Sequence, residues 1–84
     1  MTYQVLFSDL ALKQLRKLER NYQERMVSTL ERIRIRPDAH VRKLVVEEGF
    51  RLIVGDFRLI LDLDGEKLIV LALKLGHRKN VYNK

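Results

Sequence analysis

The stretch Phe50-Arg51-Leu52-Ile53-Val54-Gly55-Asp56-Phe57-Arg58-Leu59-Ile60-Leu61-Asp62-Leu63-Asp64-Gly65, continued by Glu66 to Leu75, decides the fold. Three runs of aliphatic and aromatic residues are separated by Gly55-Asp56 and Asp64-Gly65. Such dipeptides supply the positive φ values that two-residue hairpin turns require, so the stretch reads as a three-stranded antiparallel meander. With two residues in each loop, Val54 faces Phe57, Ile53 faces Arg58, Arg51 faces Ile60 and Asp62 faces Lys67 as an opposite-charge pair. Phe50, Leu52, Val54, Phe57, Leu59, Leu61, Leu68, Val70 and Ala72 then share the core face. The other face carries Arg51, Ile53, Arg58, Ile60, Ile69, Leu71 and Leu73. Two readings of its arginines are open: solvent-side charges that discourage edge pairing, or the floor of a shallow basic groove.

Beyond the meander, the chain from Lys74 to Lys84 holds Lys74, Arg78, Lys79, Lys84 and His77 without one acidic residue. Gly76 is expected to break the third strand, and the positive residues after it to emerge beside the face that holds Arg51 and Arg58. On the N-terminal side, Leu44-Val45-Val46 reads as a short strand and Glu47-Glu48-Gly49 as the turn into the meander. Arg34, Arg36, Arg42 and Lys43 bracket Pro37-Asp38-Ala39, either as a solvated connection or as a phosphate-binding rim.

Thr2 to Phe7 is predicted to form the first strand. Ser8-Asp9 starts a helix, with Ser8 accepting from an early amide and Asp9 in the positive first turn. Ala11, Leu12, Leu15 and Leu18 recur at helical spacing. Asn21, with Glu24 three residues later, is the expected cap of a second helix. Tyr22, Met26, Leu30 and Ile33 form its inward stripe, Val27 widens it, and Pro37 ends it. The resulting expectation is one α+β domain over residues 1–84, with an N-terminal strand and an antiparallel two-helix hairpin on a mainly antiparallel sheet of four or five strands.

The whole-chain balance fits an anionic partner. Seventeen basic against eleven acidic side chains give a formal charge of +6 in 84 residues, which bears on association and not on fold. The chain has no cysteine, so disulfides and thiolate chemistry are excluded and stability must come from packing. His40 and His77 lack companions at zinc-ligand spacing. No apolar run is long enough to span a bilayer and no signal-peptide pattern opens the chain, so a cytoplasmic protein is expected.

Taken in order, Phe7 to Leu15, Lys43-Leu44, Phe50 to Arg58 and Gly76-His77-Arg78-Lys79-Asn80-Val81-Tyr82 resemble the RelE/ParE superfamily of toxins from toxin–antitoxin pairs, with the likeness greatest to its RelE branch. The resemblance covers nearly the whole chain. It implies ribosome-dependent cleavage of messenger RNA in the ribosomal A site, by attack of the RNA's own 2′-hydroxyl on the adjacent phosphate. Positions matching the family's functional ones are Lys43, Arg51, Arg58, Arg78 and Tyr82. In that picture Tyr82 accepts the proton, Arg51 and Arg58 hold the phosphate as guanidinium forks, and Arg78 stabilises developing charge. Arg42, Lys43, His77, Lys79 and Lys74 would contact nucleic acid. The route needs no metal and no cofactor. The implied partners are a cognate antitoxin, the ribosome with its messenger and, only through the toxin–antitoxin complex, operator DNA; no membrane is involved. The same scaffold also carries ParE-like inhibitors of DNA gyrase and inactive antitoxin-binding members, so fold alone leaves those functions open.

Overall fold

The computed structural model describes residues 2–45 and 47–77. Among them, the central hairpin is β3 (Phe50–Val54) and β4 (Phe57–Asp64), followed by β5 (Ile69–His77). The chain begins with β1 (Gln4–Phe7), passes through α1 (Asp9–Arg16) and α2 (Arg20–Ile33), and reaches the short strand β2 (Arg42–Lys43) after a 3₁₀ turn at Pro37–Ala39. The five strands form one sheet in the order β1-β5-β4-β3-β2, antiparallel except for β1, which runs parallel to β5. No helix of the described residues is long and apolar enough to cross a membrane.

The β3–β4 register is the one the sequence predicts, with Val54 opposite Phe57 and Arg51 opposite Ile60. Gly55 carries φ +61° at the first turn position, and the Arg25 guanidinium of α2 lies against it, 3.0 Å from where a Cβ would stand. Gly55→Ala should therefore destabilise the fold by about 1–2 kcal/mol, from the left-handed backbone plus displacement of Arg25. A denaturant midpoint unchanged from wild type would refute this.

The second turn differs from expectation. Asp64 Oδ1 accepts from the amides of Glu66 and Lys67, both at 3.0 Å, which builds a four-residue loop over residues 65–68 with Leu68 at φ +57°. Asp62 consequently faces Leu71, not Lys67. The displacement is four residues, an even number, so Val70 and Ala72 still reach the core.

One face of the sheet packs on the helices. Ala11 and Leu15 of α1 and Met26, Leu30 and Ile33 of α2 join Leu52, Val54, Leu59, Leu61, Val70, Ala72 and Leu75 in one cluster; each fully buried aliphatic side chain is worth about 1.5–3 kcal/mol. Ser8 caps α1 by accepting from the Ala11 amide at 3.0 Å. The cap of α2 is not Asn21: the helix starts at Arg20 after an extended Glu19, which offers no side-chain cap. Gln23 donates to the Leu18 carbonyl at 2.7 Å, so the second helix must begin within a turn of the first. Val27 does not widen the buried stripe; it is 41% exposed. The helix also ends before Pro37, at Ile33, where Arg34 bonds to Tyr3, the residue just before β1. Arg34 Nε donates to the Tyr3 carbonyl at 2.7 Å, and the Tyr3 amide donates to the Arg34 carbonyl at 2.9 Å.

Two further strand boundaries are corrected. The edge strand is Arg42–Lys43, two residues earlier than the aliphatic run that starts at Leu44-Val45 suggests, and Val45 is 94% exposed. The Leu44 amide instead donates to the Gly49 carbonyl, closing the loop, while Gly49 takes φ +118°. Gly76 does not interrupt β5, which continues to His77, because Gly76 remains paired opposite Arg58.

Candidate nucleic-acid face

Directly opposed residues in neighbouring strands point to the same side of a sheet. Arg42 opposes Arg51, Arg51 opposes Ile60, and Ile60 opposes Lys74. These four residues therefore form a transverse row over β2, β3, β4 and β5, about 14 Å long at ordinary strand spacing. Arg58 lies two residues along β4 from Ile60, between Ile53 and Gly76. The row belongs to the face away from the helices, since Ile60 is 7% exposed yet is not a member of the helix-side cluster.

Arg58 is itself only 6% exposed. Arg51 is half-buried and Arg42 exposed, so the arginines grade from the sheet interior to its edge. Ile60 fills the gap between Arg51 and Lys74 with an apolar floor.

The structure thus brings Arg42, Arg51, Arg58 and Lys74 onto one face. It does not put Lys43 or His77 there. Lys43 stands opposite Phe50, on the helix side of the edge strand. His77 stands opposite Phe57, with their rings edge to face at 5.9 Å, and Phe57 in turn meets Tyr22 at 5.1 Å. The sequence-predicted site residues Arg78, Lys79 and Tyr82 lie outside the described residues.

Sequence reasoning missed how Lys74 reaches this face. Strict alternation from Val70 and Ala72 would send Lys74 inward with them. The register instead shifts between Ile60 and Leu61, leaving Leu73 as an extra residue of β5, so that Leu75 enters the core and Lys74 turns outward. The visible signal was the sequence Leu73-Lys74-Leu75, in which alternation and hydrophobicity disagree.

Comparison with known proteins gives a consistent placement. The family model described as the ParE toxin of type II toxin–antitoxin systems, parDE, matches residues 5–82. Among solved structures, a chain of the RelBE2 toxin–antitoxin complex from Mycobacterium tuberculosis is 27% identical, with a TM-score of 0.85 over 93% of this chain and 100% of that one. The isolated RelE toxin of Escherichia coli is 26% identical, with a TM-score of 0.75 over 95% of this chain and 90% of that one. A chain of the archaeal RelE–RelB complex from Pyrococcus horikoshii, at 21% identity and a TM-score of 0.77 over 93% and 97% of the two chains, shares the fold. Curated proteins gave no match. Helices on one side of the sheet, arginines on the other and a family match over nearly every residue lead to one conclusion: the chain belongs to the RelE/ParE superfamily of toxins from type II toxin–antitoxin systems, in its RelE-like branch.

Proposed function

We propose that this protein is a ribosome-dependent messenger-RNA endoribonuclease that arrests translation and is held inactive by a cognate antitoxin. The observation that carries the reading is the row of Arg42, Arg51 and Lys74 across four strands, with Arg58 beside it. A backbone-tracking cation array of this kind suits a polyanion read by shape and charge.

RNA brings its own nucleophile, so the protein has to orient and stabilise more than to react. The 2′-hydroxyl oxygen bonds to the adjacent phosphorus as its proton passes to the Tyr82 phenolate, a form that the surrounding cations favour. The bond from phosphorus to the 5′-oxygen breaks, and that oxygen takes up a proton from solvent water. The products are a 2′,3′-cyclic phosphate and a 5′-hydroxyl end. Arg51 and Arg58 hold the non-bridging oxygens, and Arg78 stabilises the charge that develops at the leaving oxygen. Arg42 and Lys74 hold flanking backbone, and Lys79 extends the positive rim. The antitoxin would cover this basic and apolar surface with acidic or amphipathic segments, and operator DNA would be reached only through the complex.

Programmed ribosomes incubated with the purified protein, followed by mapping of messenger ends, test the reading. Cleavage should fall about 10²–10³-fold in Arg78→Ala and about 10²–10⁴-fold in Tyr82→Phe, the scale of removing one charge-stabilising donor or one general base. Messenger left intact by protein that demonstrably binds the ribosome would sink it. The ParE description of the matching family model makes a gyrase supercoiling assay the proper companion. Inhibition there, with intact messenger, would assign the other activity of the superfamily.

A further inference from the structure

β1 ends at Phe7, opposite Ala72, so β5 continues beyond its parallel neighbour as far as His77. The hydrogen-bonding groups of β5 past that point are taken by the helix that follows. The Ser8 amide donates to the Ala72 carbonyl at 2.8 Å, Ser8 Oγ donates to the Leu73 carbonyl at 2.6 Å, and the Leu75 amide donates to Gln14 Oε1 at 2.7 Å. These bonds bracket Leu73, the residue left over where the register of β4 and β5 shifts.

A bulge leaves its extra residue without a ladder partner, and a shift of the four pairs beyond it, from Ile60–Lys74 to Phe57–His77, would return the strand to strict alternation. Slippage would exchange the faces of Lys74 and Leu75. Gln14 is placed to oppose this, because its carbonyl oxygen can meet the Leu75 amide only in the bulged register. Its seat is about one turn and a half from Ser8 along α1, so both ends of the bulge are gripped by one rigid element.

We propose that Gln14 is a positioning residue of the RNA face: with Ser8 it clamps the β5 bulge at Leu73, and that clamp turns Lys74 out of the core into the row with Arg51 and Arg42. The proposal rests on the reading of that row as an RNA-backbone site. It assigns a functional consequence to a helix on the opposite side of the sheet.

The test compares the salt dependence of binding to a single-stranded oligoribonucleotide for wild type, Lys74→Ala, Gln14→Ala and Gln14→Glu. On a single strand, each phosphate that the protein no longer neutralises makes the slope of log K against log salt shallower by about 0.7. Lys74→Ala and Gln14→Ala should each show at least this change. Gln14→Glu, which keeps an acceptor oxygen at the same reach, should restore the wild-type slope. A purely structural Gln14 would lower the melting temperature of Gln14→Ala and leave its slope intact, which overturns the proposal. So does a Gln14→Glu variant as defective as Gln14→Ala. If Lys74→Ala itself leaves the slope unchanged, the failure belongs to the RNA-face reading instead. Because the chain has no native cysteine, K74C provides an independent readout. A charged thiol reagent should label it rapidly in the wild-type background and at least about tenfold more slowly once Gln14→Ala is added. Equal labelling in the two backgrounds also overturns the clamp.

Discussion

Arg51→Ala is expected to slow messenger cleavage on programmed ribosomes by about 10²–10³-fold, a loss of about 3–4 kcal/mol of transition-state stabilisation. Arg51 occupies the second strand of the cation row, with Arg42 on one side and Ile60 on the other. It therefore holds the place from which a half-buried guanidinium can reach an oxyanion bound above β3 and β4. Arg51→Lys separates charge from shape: the ammonium keeps the field but lacks the planar pair of donors, so the rate should fall between wild type and alanine. Arg51→Ala cleaving within about threefold of wild type would remove the row from the active surface, whatever RNA it binds.

How much of this could be read from the sequence depended on what fixes each register. The β3–β4 hairpin was legible because one turn residue, Gly55, sets the loop length and the alternating side chains on both sides agree with it. The loop after β4 was not, because a side chain intervened: the Asp64 carboxylate satisfies two following amides and lengthens the turn. Val70 and Ala72 kept their places in the core because the slip was even, whereas Leu68, expected beside them, falls in the loop and is not a member of the core cluster. The edge strand misled for a different reason. Leu44-Val45 has the intrinsic preference for extended structure, yet the tertiary surroundings at the edge select Arg42–Lys43, and preference yields to context at the rim of a sheet.

The site was half legible. Arg51 and Arg58 share a face by simple alternation once the hairpin is granted, and Arg42 joins them through two residues of pairing. Lys74 could be listed from charge alone but not placed, since its orientation depends on a bulge that Ser8 and Gln14 hold through hydrogen bonds spanning 65 and 61 residues of chain. His77 illustrates the converse: a histidine in a basic segment invites a chemical role, whereas its ring packs edge-on against Phe57. In both cases the missing information was long-range hydrogen bonding and packing, which local patterns do not encode.

Ser8→Ala is expected to destabilise the protein by about 2–3 kcal/mol, a large share of the roughly 4–13 kcal/mol available to a domain of this length. The Ser8 hydroxyl acts in two directions at once, accepting from the Ala11 amide as the cap of α1 and donating to the Leu73 carbonyl at the bulge. Losing the cap costs about 0.5–2 kcal/mol, and leaving a part-buried carbonyl without its donor costs about 1–3 kcal/mol. At about 4–8 °C per kcal/mol for a domain of this size, the melting temperature should drop by about 10–20 °C. Ser8→Asp divides the two functions, since an ionised carboxylate caps the helix as well as serine but has no proton to give Leu73. It should recover the helix contribution and none of the bulge contribution, with the carboxylate facing the Leu73 carbonyl as like partial charges. Ser8→Thr retains both partners and should melt within a few degrees of wild type. If Ser8→Asp proves as stable as Ser8→Thr, the bond to Leu73 adds nothing to the fold, and the register of β5 must be held by Gln14 and the packing of Leu75.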